Sequence, residues 1–537
     1  MADRFNSTVI QFKGGFATDQ APQVRQQTFL SAAENINYEA ANSIRKFGGT
    51  ARINSTVITG TPSIIGMYDF WVAGTAGTFT RRFVSATSDS KIYADITDGQ
   101  TGVMTDITGS AVITVNAMPV FAQARDNLLL FTDKNDTPLT YTGTGNVSSL
   151  GGTPPVGRGA TLHVNRPWVW GANANPSRIT YGSSTSISDY TGADTGTIDI
   201  DPEDGDRIVG AVPYKNNLIV FKGPNKGSIH IINGRTPSTF VRDVLVRGIA
   251  LQTHNSIVPV FDDIWFMSNR GIHSLAATEK FGDYAGIDLT RFLKEYFRVG
   301  INRNRLDRVW GVHYQHKAAV IWGLTPSGAA SNTQAFGISL VNQETEGLRP
   351  FVINRPCQSI AIRVNPTTGI NELVFGSNDG FLLRQDLQDR SLAGGAGFSF
   401  RVLTPSIILG EVDSQGKPKA DQPVQLHRIW LRSRPTGEYN ITVNVYRDGY
   451  APEAYTFGQG TQGFILGTSL LGTGRLGGGT LQTVVRRATG RARSVRLEVT
   501  TTANSFDAEL YEIGIDWTAT APSMAANLQE SSDVSGA

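Results

Sequence analysis

The sequence predicts an all-β protein, made of a β-propeller, an additional antiparallel β-sandwich and minor helices. Short apolar strands recur as hairpins at fairly regular intervals through the first two thirds of the chain, and several later segments alternate strictly between polar and apolar residues. The 58 glycines among 537 residues agree with a chain that turns often. The length is too great for a single core, so two or more domains are expected.

One hairpin shows the repeated unit most clearly. The aromatic run Trp168–Trp170 predicts a buried strand, the Asn-rich stretch that ends at Pro176 predicts a turn, and Arg178–Tyr181 predicts the returning strand. Six other hairpins have the same build. The first strands of the seven hairpins start at residues 83, 128, 168, 218, 264, 320 and 373. A repeat of roughly 40–50 residues made of short strands is typical of propeller blades, and an irregular series of hairpins in stacked sandwiches is the alternative.

The predicted domain organisation follows from these patterns. Residues 391–397 are small and glycine-rich, which predicts a linker. Beyond the linker, segments such as Tyr439–Val445 and Leu510–Trp517 alternate as strands with one buried face do. The predicted parts are an N-terminal segment with interface contacts and first strands (1–63), the propeller (64–390), the linker (391–397), the sandwich (398–520) and a C-terminal tail that orders only against a partner (521–537).

Two short helices are predicted. Ser31 is the expected cap of a helix over 31–41, because Glu34 follows it three residues later. Residues 288–297 place their leucine and phenylalanine side chains on one helical face. Packing in the core explains that face, and a partner-binding helix is the alternative.

Composition narrows the functional classes. With 48 Lys and Arg against 46 Asp and Glu, the chain carries no global signal for nucleic-acid binding. No apolar run approaches the ~20 residues that span a bilayer, so no membrane span is expected. The first residues lack the apolar core of a signal peptide, which predicts synthesis in a cytoplasm. Cys357 is the only cysteine, so an intrachain disulfide and a cysteine metal cage are excluded.

A cluster of carboxylates surrounds Gly205. A helix–loop–helix calcium site needs acidic residues at alternate positions with glycine sixth, whereas Gly205 is the seventh residue counted from Asp199 and no helix follows. The pattern favours a solvated turn before the strand at Ile208, with a loosely bound cation as the alternative. The acidic residues of this turn are Asp199, Asp201, Glu203, Asp204 and Asp206.

The densest basic run comprises Arg486, Arg487, Arg491, Arg493 and Arg496. Strand alternation separates these side chains onto two faces, which favours a solvated surface or an interface between subunits. Contact with phosphates is the alternative.

The remaining motifs predict no chemistry. Residues 472–477 match G-x-G-x-x-G, but β-prone residues rather than a helix follow, which favours a glycine-rich loop over a nucleotide site. His313 and His316 lie in a strand-like stretch and are expected to face opposite sides, so no metal site is predicted. No serine stands in a G-x-S-x-G context. The sequence therefore predicts no catalytic residue, no cofactor and no metal, and a protein that is not an enzyme.

A set of structural motifs spans most of residues 10–518. They are Gly14-Gly15, Glu34-Asn35-Ile36, Arg45–Gly49, Arg166–Gly171, Pro176–Tyr181, Asp204–Asp206 with Ile208, Asn217–Lys222, Gly490–Leu497 and Ile513–Trp517. Through these residues the chain resembles the tail nozzle proteins of short-tailed bacteriophages, also described as tail tubular protein B or packaged-DNA stabilisation proteins.

The resemblance implies a propeller with β domains, six copies in a ring, and a central channel that closes off packaged double-stranded DNA and conducts it during ejection. It also implies docking to a portal–adaptor complex, contact with tail fibres or spikes, and a place in the virion tail. Two alternatives differ in class: a propeller glycosidase or lyase acting on host surface polysaccharide, and an adaptor component of another phage tail type.

If the chain is a nozzle protein, its two charged clusters are candidates for the channel wall and for the subunit interface. An acidic or neutral channel wall does not grip phosphates, so the turn Asp199–Asp206 is the candidate for the channel or a constriction. The basic residues Arg486, Arg487, Arg491 and Arg493 are the candidates for the subunit interface.

Overall fold

Almost all regular structure in the described chain is β-strand. The computed structural model describes residues 5–19, 29–39, 42–73, 79–97, 102–275, 287–386, 391–393, 395–410, 423–435, 439–459, 481–501 and 508–520. The chain divides into two units. One comprises Thr50–Leu340 and Val352–Asp386, and the other comprises Met1–Gly49, Val341–Phe351 and Leu387–Ala537.

The chain opens with five short strands. They are β1 Asn6–Gln11, β2 Ala32–Glu34, β3 Ile36–Tyr38, β4 Ile44–Lys46 and β5 Gly49–Arg52. The helix predicted over 31–41 is wrong, because β2 and β3 occupy that stretch. Ala33 pairs with Val402, nearly 370 residues away, and Ile36 pairs with Lys46. Pairing with other strands therefore overrides the local helix signal.

The larger unit is a β-propeller. Six of its blades are separate four-stranded sheets, and the strands of one further blade belong to a larger sheet. Blade one is β6 Ile64–Ala73, β7 Phe79–Thr87, β8 Ile92–Asp95 and β9 Thr105–Asp106; blade two is β10 Pro119–Ala124, β11 Asn127–Thr132, β12 Leu139–Tyr141 and β13 Ser148–Ser149; blade three is β14 Gly159–His163, β15 Arg166–Ala172, β16 Asn175–Tyr181 and β17 Gly196–Asp199. Blade four is β18 Arg207–Tyr214, β19 Asn217–Gly223, β20 Ser228–Asn233 and β21 Val241–Arg247; blade five is β22 Val258–Val260, β23 Asp263–Ser268, β24 Gly271–Ser274 and β25 Ile287–Asp288. Blade six is β26 Trp310–Tyr314, β27 Ala319–Leu324, β28 Gln334–Ser339 and β29 Arg349–Asn354, of which the first three residues of β29 are assigned to the smaller unit; blade seven is β30 Ile360–Val364, β31 Asn371–Gly376 and β32 Leu382–Asp386, completed by β5. The predicted propeller is confirmed, and each of the seven predicted opening strands is the second strand of a blade.

Neighbouring blades pack against each other around a closed ring. Among the first strands of the blades, β6 contacts β10 and β30, β14 contacts β10 and β18, and β26 contacts β22 and β30. Apolar side chains fill the space between blades, for example Phe221 of blade four and Phe266 of blade five, whose rings lie 4.9 Å apart. The ring closes where β5, from the start of the chain, becomes the outer strand of blade seven.

Asn54 secures this closure. Its Oδ1 accepts a hydrogen bond from the backbone N–H of Leu382 at 2.8 Å, and its Nδ2 donates to the Gly380 carbonyl at 3.0 Å. The side chain is fully buried, so these bonds replace water that it has lost.

The smaller unit is the predicted β-sandwich. Its later strands are β33 Phe400–Leu403, β34 Ile407–Ile408, β35 Val424–Pro435, β36 Tyr439–Arg447, β37 Glu453–Gln459, β38 Gln482–Arg487, β39 Arg491–Ala492, β40 Ser494–Thr501 and β41 Ala508–Ala519. One sheet has the order β3-β4-β41-β35-β38, with β1 on β41 and β39 on β35. The other contains β2-β33-β40-β36-β37, with β34 on β40. Alternate residues of β40, Val495, Leu497 and Val499, are buried, as the polar–apolar alternation predicted.

The predicted N-terminal segment is shared between the two units. Strands β1 to β4 belong to the sandwich, whereas residues from Thr50 onward belong to the propeller. The reason is that β5 pairs in blade seven, so the chain passes from one unit to the other within a few residues.

The helical segments of the described residues are short. They are Pro237–Thr239, His254–Ser256, Arg303–Arg308 and Gln315–Lys317 as 3-10 turns, Tyr296–Gly300 as a π-helical turn, and Gln343–Glu346 as an α-helical turn. The helix predicted over 288–297 begins later than expected, because Asp288 still belongs to β25. In the described part of the chain, no helix is both long and apolar enough to cross a membrane.

Candidate functional site

The acidic turn connects blade three to blade four, between β17 and β18. Lys222 of β19 is fully buried and binds this turn. Its Nζ donates to the carbonyl oxygens of Ile200 and Asp201 at 2.7 Å each and to Asp204 Oδ1 at 2.6 Å. The alternative interpretation of this turn was a loosely bound cation, but the Lys222 ammonium group binds these oxygens instead. The ion pair anchors the turn to the blade.

Asp201 is the centre of a second ion network. Its Oδ1 lies 2.7 Å from Arg242 Nη1, and its Oδ2 lies 3.1 Å from Arg247 Nη1 and 3.8 Å from His230 Nε2. Burial raises the pKa of Asp201, but the interactions with His230 and Arg242 prevail and hold the pKa below its usual value. Burial also lowers the pKa of His230 to about 4, so its imidazole is neutral at pH 7.

The other acidic residues of the turn differ in exposure. Asp199 forms a two-pronged pair with Arg178, at 2.6 Å to Nε and 2.9 Å to Nη2. Asp206 is buried and accepts from two backbone N–H groups, of which that of Gly227 is the closer at 2.7 Å. Glu203 is exposed. Most of these carboxylates thus stabilise the propeller, and their place at a channel or constriction stays a prediction.

Arg486 and Arg487 lie side by side on β38 and are both exposed. Arg486 Nε donates to the Thr456 carbonyl at 2.8 Å, and its guanidinium lies 5.7 Å from the centre of the Phe457 ring. The bond and the ring contact orient Arg486 along the sandwich surface. The proposed interface role of both residues stays a prediction.

Arg491 and Arg493 line an open groove on the sandwich unit, together with Arg496. The groove has a volume of about 920 Å³. Two tyrosines also line the groove: Tyr446 near the end of β36 and Tyr450 in the turn that follows. We call this feature the arginine groove.

The backbone of the arginine groove is held by its one acidic lining residue, Asp448. Its carboxylate accepts the backbone N–H of Arg493 at 2.9 Å and that of Ser494 at 2.7 Å. Behind the groove, Arg447 is bound at 2.7 Å to Glu453 and packs against Gly490, whose φ of +110° suits glycine. The loop that carries the arginines is therefore fixed by polar contacts that leave the guanidinium groups of the groove to other partners.

A third group of charges lies where blade seven meets blade one. Asp69 of β6 accepts from Arg81 Nε at 2.6 Å, and Glu372 of β31 accepts from Arg384 Nη1 at 3.0 Å. Arg363 of β30 lies 3.9 Å from the second oxygen of Glu372, and burial lowers its pKa against the opposing effect of Glu372. The side chains of Asp69 and Glu372 keep 11% and 12% of their exposure, so both are nearly withdrawn from water.

Several of these residues were not identified as site residues from the sequence. Lys222 could have been noticed, because a lysine directly after the apolar run Leu218–Phe221 is unusual in a buried strand. Asp69 and Glu372 carry no such signal, since 303 positions separate them along the chain and only ring closure brings their blades together. Tyr450 follows an ordinary Asp-Gly turn.

Comparisons with known proteins found similar solved structures but no family. No family model and no curated protein matches the chain. Among solved structures, "YCF48 bound to D1 peptide" is similar at 11% identity and a TM-score of 0.36, over 62% of this chain and 95% of that one. The exo-β-1,3-galactanase from Phanerochaete chrysosporium with galactose is similar at 9% identity and a TM-score of 0.27, over 88% of this chain and 100% of the galactanase chain. A glycoside hydrolase is similar at 10% identity and a TM-score of 0.23, over 85% of this chain and 99% of the hydrolase chain.

One prediction must be corrected in the light of these comparisons. The sequence predicted a protein that is not an enzyme. This prediction is wrong, since the solved structures similar to the chain include glycoside hydrolases. The original inference rested on the absence of local catalytic motifs. A propeller brings together residues that lie far apart in sequence, so the absence of a local motif does not decide the matter.

Proposed function

We propose that the chain is a structural protein of a bacteriophage virion, the tail nozzle, which forms a ring-shaped channel that closes off packaged DNA and conducts it during ejection. The proposal includes a homohexamer that docks to the portal–adaptor complex and contacts tail fibres or spikes. It also places the protein in the virion tail after synthesis in the host cytoplasm. The support is the motif resemblance, which implies a propeller with β domains, the architecture that the chain has.

The observation that carries the proposal is where the motif residues lie. Trp168 and Trp170 are at most 1% exposed in blade three, and Lys222 of blade four anchors the acidic turn between the two blades. In the smaller unit, a Cβ atom on Gly15 would lie 2.1 Å from a side-chain carbon of Pro350, so only glycine fits there. The motifs thus fall at positions that determine the fold in both units, as expected for a resemblance of architecture.

Electron microscopy of the purified protein, alone and mixed with a portal–adaptor complex, tests the proposal. We expect rings with six-fold symmetry and an open centre that attach to the adaptor. A ring of different symmetry that binds a long tail tube would favour the adaptor alternative. A monomer that stays monomeric with the adaptor present would contradict the proposal.

A second candidate function is cleavage of host surface polysaccharide by the propeller, as in a glycosidase. It is favoured by the charges at the junction of blades one and seven, because glycoside hydrolysis typically uses a pair of carboxyl groups. Asp69 and Glu372 supply such groups, and each is held by an arginine. Release of reducing sugars that is lost in both Asp69→Asn and Glu372→Gln, but retained in the exposed-site variant Glu203→Gln, would establish it. Activity unchanged in the first two variants would exclude this site.

A further inference from the structure

The arginine groove has an excess of positive charge among the described residues that line it. Three arginines line it, Arg491, Arg493 and Arg496, against the single carboxylate of Asp448, which also accepts two backbone hydrogen bonds. The neighbouring Arg447 shows the contrast, because it is paired with Glu453 at 2.7 Å. Among the described residues, no carboxylate lies within ion-pair distance of the three groove arginines.

The arginines are presented in a way that suits planar anions. A guanidinium group offers a rigid fork of N–H donors, which matches a carboxylate or a phosphate with two parallel hydrogen bonds. Arg491 and Arg493 are exposed, while Arg496 lies 4.8 Å from the centre of the Tyr446 ring and is held by it. The groove therefore combines one fixed guanidinium group with two accessible ones.

The shape and the aromatic content narrow the ligand. The groove is open, and its volume of about 920 Å³ falls within the range of clefts that bind small ligands. Duplex DNA is bound instead over broad surfaces through many phosphate contacts. Single-stranded nucleic acid is bound by successive aromatic platforms, whereas here Tyr450 is exposed at 77% and the ring of Tyr446 is covered by Arg496.

We propose that the arginine groove binds a short acidic oligosaccharide, a chain of sugars that carry carboxylate groups. Arg491 and Arg493 bind carboxylates of successive sugars, Arg496 adds a third cationic contact, and the exposed ring of Tyr450 packs against the apolar face of a sugar. The proposal rests on the groove alone and holds whether or not the chain forms a nozzle. It also requires no cleavage of the glycan.

The test uses the full-length protein and three probes of equal length: a hexamer of galacturonic acid, the neutral hexamer maltohexaose, and a dT hexanucleotide. Isothermal titration calorimetry should show binding of the galacturonate hexamer that weakens as salt is raised. Arg491→Gln and Arg493→Gln should each weaken binding about tenfold, since each removes a charge-assisted pair. Tyr450→Ala should weaken it without changing the salt dependence.

Arg487→Gln is the matched control, because Arg487 is exposed on the same unit but lies outside the groove. It should leave the affinity unchanged, and all four variants should keep the thermal unfolding midpoint of the parent. Equal binding of maltohexaose would show that charge does not drive recognition and would overturn the proposal. So would tighter binding of the oligonucleotide, absence of galacturonate binding at millimolar concentration, or an equal loss in the control.

Discussion

Replacement of Lys222 by methionine tests whether the acidic turn is an anchor of the propeller. The methionine side chain keeps most of the buried volume of lysine but removes the ammonium group. Four oxygens then lose a donor: the carbonyl oxygens of Ile200 and Asp201 and the carboxylate of Asp204, now bound at 2.6–2.7 Å, and the Ser177 hydroxyl, now bound at 3.2 Å. Removal of one partner from a buried ion pair costs about 3–5 kcal/mol, because it leaves the other partner buried and uncompensated.

The expected shift in melting temperature follows from the size of the unit. The propeller contains about 330 residues, and unfolding entropy is about 2 cal/mol/K per residue, so 1 kcal/mol corresponds to about 1.5 °C. Lys222→Met should therefore lower the melting temperature of the propeller by about 4–7 °C. Differential scanning calorimetry measures this shift, and the unfolding enthalpy identifies which unit melts.

Two variants sharpen the experiment. Lys226→Met removes an exposed lysine from the turn that follows β19 and should change the melting temperature by less than 1 °C. Asp204→Asn combined with Lys222→Met completes a double-mutant cycle, in which the pair should show a coupling energy of at least 1 kcal/mol. If Lys222→Met shifts the midpoint no more than Lys226→Met does, the anchor reasoning is refuted.

Three further outcomes are expected. Gly227→Ala should destabilise the propeller by more than 2 kcal/mol in urea unfolding, because its Cβ atom would lie 2.2 Å from a neighbouring backbone atom, whereas Gly248→Ala, which also has a positive φ but open space, should cost about 1 kcal/mol. Asn54→Ala should cost about 1–3 kcal/mol, since it leaves buried backbone groups of blade seven unpaired, and hydrogen exchange should increase first at Leu382. Burial lowers the pKa of His254 to about 4, so below pH ~6.5 the unfolded chain binds a proton that the folded chain does not bind. The free energy of unfolding should therefore fall between pH ~6.5 and ~4, and His254→Gln should flatten that decline.

The sequence predicted the elements that depend on short-range pattern. Each of the seven apolar runs became the second strand of a blade, because these strands are buried on both faces and read as continuous apolar segments. The Leu218–Phe221 run, for example, lies within β19, and all four residues are at most 1% exposed. The outer strands are two to seven residues long and often exposed, so they carry little pattern.

The candidate sites were less accessible to sequence reasoning. The acidic turn was visible as a cluster, but its binding partner Lys222 and the network of Asp201 depend on how β19, β20 and β21 lie beside it. The arginine groove was visible only as a basic run. Its concave shape arises because the turn after β36, which carries Tyr450, lies next to Arg491 and Arg493, far along the chain from it.

The pairing of strands in the sandwich explains why the strands of the N-terminal segment could not be predicted from the sequence. Residues of β1 pair with β41, so that Asn6 lies opposite Trp517 and Ile10 opposite Ile513. A separation of about 500 residues cannot be read from local pattern, and it makes the sandwich a late structure in synthesis, since its first strands must wait for its last. The propeller can close earlier, once β32 has been made and can accept β5. Strands β1 to β4 therefore remain without their sheet partners while the ring forms, and the order of synthesis favours completion of the propeller before the sandwich.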